Sequence, residues 1–459
     1  MSMTATELQQ LVEELVHESG VPGAGAVLAT DNGVIGAFAG VEHIGNETRI
    51  SERSRFEVSC LMKFYMSLIA IKFICEGRLD AEAAIEEFVP ELESQDAQRP
   101  IRVRHLLSHT SGLRGVDISA AKARWGLRWP EFIAALNHSP PSFVPGVVFS
   151  YEHSEHVILG AILERIKGRP AFEAVRDELL AEAGVTLDEG RERGNDHRVG
   201  QHRLDLATRK YTGVVAPPFG QFWRDSLPDL TMTLTDHVMV ARRLLKWSTD
   251  VQRGQSGATS SAHSLISTPA IRLPSCISSG SHEEVFPKAF SLGCGIYESG
   301  VYGHNGSMPG QTCAVRLDWD RRSALAVGLN AWVPHARDRL IDAILSRIAS
   351  RRTRTTGLGR RTRLFDWRSL SGGFSVPELC GHYVGGYLSR VEVSARKGGL
   401  RMSFGANPAL RTVVDIRHHA GGYFAVEGRG PTSIGFFANP TSGEPVLMGG
   451  AHAYRKLYG

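Results

Sequence analysis

Residues 61–75, Leu-Met-Lys-Phe-Tyr-Met-Ser-Leu-Ile-Ala-Ile-Lys-Phe-Ile-Cys, are apolar on nearly every face of a helix. A helix of this kind offers water no side, so protein must enclose it all round. It also falls short of the ~18 unbroken apolar residues that a membrane-spanning helix needs, and no other stretch comes closer. The chain must therefore wrap other elements around this segment, in the middle of a domain. Its 459 residues supply enough material for that domain and at least one more. Hydrophobic residues make up 42% and charged residues 22%, an ordinary balance for a globular chain. The net charge of +4 is too small for a dedicated nucleic-acid binder. Met1 to Gly20 reads as an amphipathic helix (Leu8, Leu11, Val12, Leu15, Val16), with acids where a signal peptide would be basic or apolar. The six cysteines form no C-x-x-C pair and no metal-ligand spacing, so free thiols in a reducing cytoplasm are expected.

No fixed-period repeat is visible. Gly25–Ala29 and Val34–Ala39 are apolar runs separated by Thr30-Asp31-Asn32-Gly33, and Asn-Gly in that position predicts a hairpin. Amphipathic helices and Pro/Gly turns then alternate to about residue 250. Residues 252–285 are rich in Ser and Gly, and predict a long mobile loop. Strand-like runs return at 289–331, and Ala336 to Ile348 reads as a closing helix. Between 347 and 363 stand seven arginines, which read as a solvated linker, with an anion or cofactor-phosphate patch as the alternative. From 375 to 459 apolar and polar residues alternate (Val391, Val393; Leu400, Met402; Ile434, Phe436) between Gly-rich turns, which predicts a small antiparallel sheet or barrel.

The chemistry centres on Phe56-Glu57-Val58-Ser59-Cys60-Leu61-Met62-Lys63. On a helix, Cys60, Lys63 and Ser67 share a face. A lysine in an otherwise apolar helix must find a partner or lose its charge. A thiol one turn earlier, at the positive end of the helix dipole, is a sensible partner. A core cysteine beside a snorkelling lysine is the plainer alternative. His418-His419 lacks further ligands at metal spacing and reads as surface.

The surrounding motifs decide between these readings. Glu76-Gly77-Arg78-Leu79-Asp80 follows the buried helix, and then Ile101-Arg102-Val103-Arg104-His105-Leu106-Leu107-Ser108-His109-Thr110-Ser111-Gly112-Leu113. Pro145-Gly146 precedes Tyr151-Glu152-His153, and Gly303-His304-Asn305-Gly306 precedes Pro309-Gly310. In order and spacing this set resembles the serine β-lactamase and penicillin-binding-protein superfamily, in its class C-like branch of esterases, peptidases and acyltransferases. The resemblance spans roughly residues 10–350. It implies an α/β fold: a β-lactamase/transpeptidase-like antiparallel sheet flanked by helices, with a helical lobe at about 80–200. The C-terminal segment is similar to the small all-β lipocalin-like domain of some members. The expected division is a catalytic domain at 1–350, an Arg-rich linker at 351–374 and a β domain at 375–459.

Two departures from the family pattern stand out. Cys60 occupies the position of the nucleophilic serine, with Lys63 three residues on, and His153 replaces the asparagine of Tyr-x-Asn. Ser59 as nucleophile would need a spacing to Lys63 that the family does not use. The resemblance implies Cys60, Lys63, Tyr151, His153 and His304 as catalytic residues, with the N–H groups of Cys60 and Ser307 as the oxyanion hole. A thiol needs its pKa lowered by only ~1.5 units to be about half ionised at neutral pH. Lys63, the helix N-terminus and a cationic His304 are the expected sources. Asn305, Gly306, Phe222 and Trp223 are the candidate substrate-binding residues, the last two in an aromatic-rich loop with Phe219; Trp125 and Trp129 belong to the lobe. The expected reaction is acyl transfer through a Cys60 thioester, from a thioester or ester donor to an amine or alcohol. An acyl carrier protein or coenzyme A is the expected carrier, with no metal and no other cofactor. Hydrolysis of an ester, amide or thioester, and a catalytically silent binding protein, are the alternative readings.

Overall fold

The fold comes from a computed structural model that describes residues 3–457 apart from 94–95, 97, 114–128, 140, 187–196, 206–207, 209, 215–229, 253–261, 274–285, 309, 350–373, 385–389, 398, 405–411, 419–422, 427–429, 440 and 450–451. The Arg-rich segment 351–373 and Trp125, Phe219, Phe222 and Trp223 thus lie outside the described residues.

An eight-stranded antiparallel sheet runs through the first part of the chain. Its strands are β1 (Gly23–Thr30), β2 (Gly33–Gly40), β3 (Ile271–Arg272), β4 (Ala289–Phe290), β5 (Gly295–Ile296), β6 (Tyr302–Met308), β7 (Gln311–Asp318) and β8 (Ser323–Leu329), in the order β2-β1-β8-β7-β6-β5-β4-β3. The Asn-Gly hairpin joins β1 to β2 in register from Gly23↔Gly40 to Thr30↔Gly33. Strands β7 and β8 are buried along their whole length, because helices cover both faces of the sheet.

Helix α1 (Ala5–Ser19) lies on one face. Thr4 and Glu7 close a capping box at its start, and Gly20 ends it in the left-handed region at φ +64°. Its Leu8, Leu11, Val12 and Leu15 pack with Leu340, Ile341 and Ile344 of the last helix of this part, Pro334–Ile348, against Ala314, Leu325 and Val327. Helix α2 (Leu61–Cys75) lies on the other face, and every one of its residues is buried except Lys72. It is enclosed by helix α3 (Trp129–Asn137), helix α4 (His153–Lys167), helix α5 (Leu234–Gln252) and the sheet face of Val27, Cys313, Val315 and Ala326. Burying a side chain of this type contributes roughly 1.5–3 kcal/mol, so α2 anchors the whole assembly. Trp129 lies beside Phe132, the rings tilted with centroids 5.8 Å apart, and packs against this core.

The predicted loop at 252–285 is only partly that. Its described middle holds a short helix, Ala262–Ser267, and the edge strand β3, because Ala262, Ile266 and Ile271 each find a buried place. Isolated apolar residues in a Ser-rich stretch carry too little periodicity to reveal this from sequence.

The C-terminal part closes into an eight-stranded antiparallel barrel, residues 381–457. Alternate residues fill it, among them Tyr383, Val391, Val393, Leu400, Met402, Ile416, Phe436, Leu447 and Tyr454. The barrel packs onto the sheet-and-helix part through Phe437, Val446, Met448 and Ala453 against Phe143, Phe149, Leu273 and Phe290. The Ala453 N–H also donates to Ser150 Oγ at 3.1 Å.

Candidate active site

Three pieces of chain meet at the N-terminal end of α2. The first is the turn into the helix. Ser59 holds φ +52°, a left-handed backbone that costs a non-glycine residue about 1–2 kcal/mol. That turn delivers Cys60 to the N-cap position, half-buried, at the positive end of the helix. The second piece is strand β6. Gly306 lets it come close, since a Cβ there would stand 2.7 Å from Cys313 Sγ and 3.0 Å from the Val58 carbonyl. The third is Ser150-Tyr151-Glu152, which leads into α4 at His153.

Lys63 finds its partner in the thiol: Nζ lies 3.6 Å from Cys60 Sγ. The ammonium also stands 5.2 Å from the centre of the Tyr151 ring. Burial pushes the Cys60 thiol up, but the Lys63 charge and hydrogen bonds from Tyr151 and Lys63 outweigh it, and the thiol is held below its ordinary value. The other described cysteines with a shifted thiol go the opposite way: burial pushes Cys75 up to about 11, and Cys294 and Cys313 up to about 12. Tyr151 is the hub of the cleft, with ring centroids of His304 at 5.9 Å and His153 at 6.1 Å.

Ser59 Oγ donates its proton to the Ser307 carbonyl at 2.7 Å. The same bond shows that the Ser307 carbonyl points out of the β6–β7 ladder, toward the helix start. In an extended strand the N–H of a residue points the same way as its C=O. The Ser307 N–H therefore faces the region of Cys60.

Two expectations need correction. His304 is not cationic: burial first, and then the Lys63 charge, push its imidazole down to about 3, and it is neutral at neutral pH. Its Nδ1 lies 2.6 Å from the Asn305 carbonyl. The second concerns Asn305, whose side chain does not face the cleft. Successive residues of a strand point to opposite faces, and Asn305 Oδ1 is held by Arg316 Nη2 at 2.6 Å and the Tyr297 hydroxyl at 3.3 Å on the α1 side. Phe222 and Trp223 lie outside the described residues. The structure thus brings Cys60, Lys63, Tyr151, His153, His304 and the backbone of Gly306 and Ser307 together in one cluster.

Sequence reasoning does not single out Glu155 or His156. Glu155, His156 and His109 sit fully buried near Tyr151, with the His109 ring centroid 4.4 Å from that of Tyr151. The Glu155-His156 pair stands in the first turn of α4, directly before the apolar run Val157-Ile158-Leu159. His105, in contrast, is structural: its Nδ1 accepts the Arg102 N–H at 3.0 Å and burial lowers its imidazole to about 4.

The sequence profile of the Beta-lactamase family matches residues 8–348, about three quarters of the chain. The chain belongs to that family. Penicillin-binding protein 4 of Amycolatopsis lactamdurans is 27% identical over 179 residues, 39% of this chain and 47% of that protein. The chain thus spans about half the length of this curated relative. Among solved structures, SurE superposes with a TM-score of 0.71 at 22% identity over 99% of both chains, barrel included. D-amino acid amidase from Ochrobactrum anthropi superposes with a TM-score of 0.60 at 17% identity, over 75% of this chain and 99% of that one. At these identities the likeness shows the fold. Among the described residues no helix is long and apolar enough to cross a membrane.

Proposed function

We propose that this member of the Beta-lactamase family is an acyl-transfer enzyme that works through a thioester on Cys60. The observation that carries the reading is the Lys63 ammonium 3.6 Å from Cys60 Sγ, with the thiol held below its ordinary value. The Cys60 thiolate attacks the donor carbonyl, the C–S bond forms, and the oxyanion is held by the N–H groups of Cys60 and Ser307. The donor's thiol or alcohol leaves with a proton relayed by Tyr151 or Lys63. An amine or alcohol, deprotonated by His153, then attacks the thioester and releases Cys60. Neutral His304 acts as a hydrogen-bonding wall of the cleft and supplies no charge.

An acyl carrier protein or coenzyme A suits the role of carrier, because exchange of one thioester for another keeps the acyl group activated. A reducing cytoplasm suits a thiol nucleophile. D-Leu accompanies SurE in one solved structure and the amidase is named for D-amino acids. Both support a donor or acceptor that carries a D-configured residue. The amidase likeness also favours a second reading, hydrolysis of such an acyl group to the free acid.

Intact-protein mass spectrometry with D-aminoacyl and simple acyl thioesters tests the first step. The acyl mass should appear on the wild type and on Ser59→Ala, and be absent from Cys60→Ala. Turnover that survives Cys60→Ala removes the proposal. The ratio of amide or ester product to free acid, with an amine acceptor present, separates transfer from hydrolysis.

A further inference from the structure

His109, Glu155 and His156 are each at most 1% exposed, and each offers a ligand atom within 4.8 Å of the others. Glu155 and His156 are neighbours in the first turn of α4. His109 comes from the turn after Leu107 and holds a left-handed backbone at φ +54°. Three residues from two separate segments thus converge on one buried spot.

The hydrogen bonds around His156 fix its tautomer. Ser67 Oγ gives its proton to the Lys63 carbonyl at 2.8 Å. It can therefore only accept from His156 Nε2, which lies 3.3 Å away. Nε2 carries the hydrogen, and Nδ1 is left as a buried lone pair with no partner. An acceptor stranded in this way costs roughly 1–3 kcal/mol. A bare nitrogen on one side of the ring and a hydrogen-bonded N–H on the other is the pattern of a metal-ligating histidine. Glu155 is oriented as well. Its Oε1 accepts from Ser111 Oγ at 2.6 Å and from the Ser111 N–H at 3.3 Å, while Oε2 meets His109 Nδ1.

We propose that His109, Glu155 and His156 form a structural site for a divalent transition-metal ion. Two imidazoles and one carboxylate make a donor set for zinc, not for calcium or magnesium. A tetrahedral zinc holds its donors roughly 3.3–3.5 Å apart, so the three groups close onto an ion by side-chain adjustment. Glu152 is buried as well and close enough to act on Glu155. Through the Ser67 bridge the ion would tie α4 to the carbonyl of Lys63. Through His109 it would back the Tyr151 ring. The role is positioning, and the ion takes no part in bond making.

The test uses the full chain, expressed with added zinc and dialysed against metal-free buffer. Elemental analysis should find one zinc per chain in the wild type and in Cys60→Ala, and near none in His156→Gln and Glu155→Gln. Cobalt in place of zinc should give the intense visible absorption of a tetrahedral ion with no sulfur-to-metal charge transfer. The wild-type cobalt spectrum decides the matter even where a variant fails to fold. Zinc at buffer level in the wild type overturns the proposal and leaves a neutral hydrogen-bonded cluster. Zinc that persists in His156→Gln, or vanishes in Cys60→Ala, overturns it as well.

Discussion

The two ends of helix α2 each carry a lysine, and their surroundings are opposite. Lys72, in the last turn, sits among carboxylates: Glu178 at 2.6 Å, Glu182 in hydrogen-bond contact, and Glu76 at 3.9 Å. Burial lowers its ammonium, but bonds to Glu178 and Glu182 outweigh that and raise it. Lys63, in the first turn, is buried and faces a thiol and an aromatic ring. A lysine matched by full negative charges is satisfied, and its charge is used to hold helices together. A lysine matched by a group that is neutral until it ionises places its charge at the disposal of that ionisation. The same residue type is a clamp at one end of the helix and a means of activation at the other.

Lys63→Met should break the activating end, with the largest effect. Turnover should fall about 10²–10⁴-fold, and the pH midpoint for alkylation of Cys60 by iodoacetamide should rise, because burial then acts without its counterweight. An unchanged midpoint would show that the Lys63 charge does not reach the thiol. Chemical denaturation should give a comparatively small change for this variant.

Lys72→Met should do the reverse: kinetic constants unchanged, stability lower by about 1–2 kcal/mol. Its pH dependence sharpens the contrast. Burial raises the Glu178 carboxyl, but hydrogen bonds and charge from Lys167 and Lys72 bring it down to about 2. A carboxyl whose folded pKa lies below its unfolded value of ~4.3 stabilises above that value and loses its contribution as pH falls toward 2. The wild type should therefore lose melting temperature between about pH 5 and pH 2 more steeply than Lys72→Met. Parallel curves would mean that Lys72 contributes nothing to the clamp.

The smallest effect is expected at the seam with the barrel. Ser150→Ala removes the acceptor for the buried Ala453 N–H and should cost about 1 kcal/mol. Ser150 immediately precedes Tyr151, so any kinetic change should fall on the steps that use the tyrosine. Alkylation of Cys60 should stay at the wild-type rate.

Much of this arrangement was legible in the residues. The all-round apolar run at 61–75 announced an enclosed helix, Asn32-Gly33 the first hairpin, and the alternation after 375 a small β structure, because each reflects local periodicity or a local backbone need. The grouping of Cys60, Lys63, Tyr151, His153 and His304 followed from the order of the motifs. Hidden from sequence were the properties that depend on what lies across space. His304 reads as a cation until a dry surround, and then the Lys63 ammonium, keep it neutral. Asn305 reads as a substrate contact until the pleat of β6 turns it to Arg316.

The sequence by itself determined which segments must be buried, where the thiol and the lysine fall on one helical turn, and which chain segments belong to one family. Those facts are set by spacing of 3.6 or 2 residues and by the chemistry of single side chains. Only the tertiary structure decided the charge state of the cleft, the direction of the Ser307 backbone, and the meeting of His109 with Glu155 and His156, which lie 46 positions apart or more. Burial and electrostatic partners act through space, and no pattern along the chain encodes the distance between residues that only folding brings together.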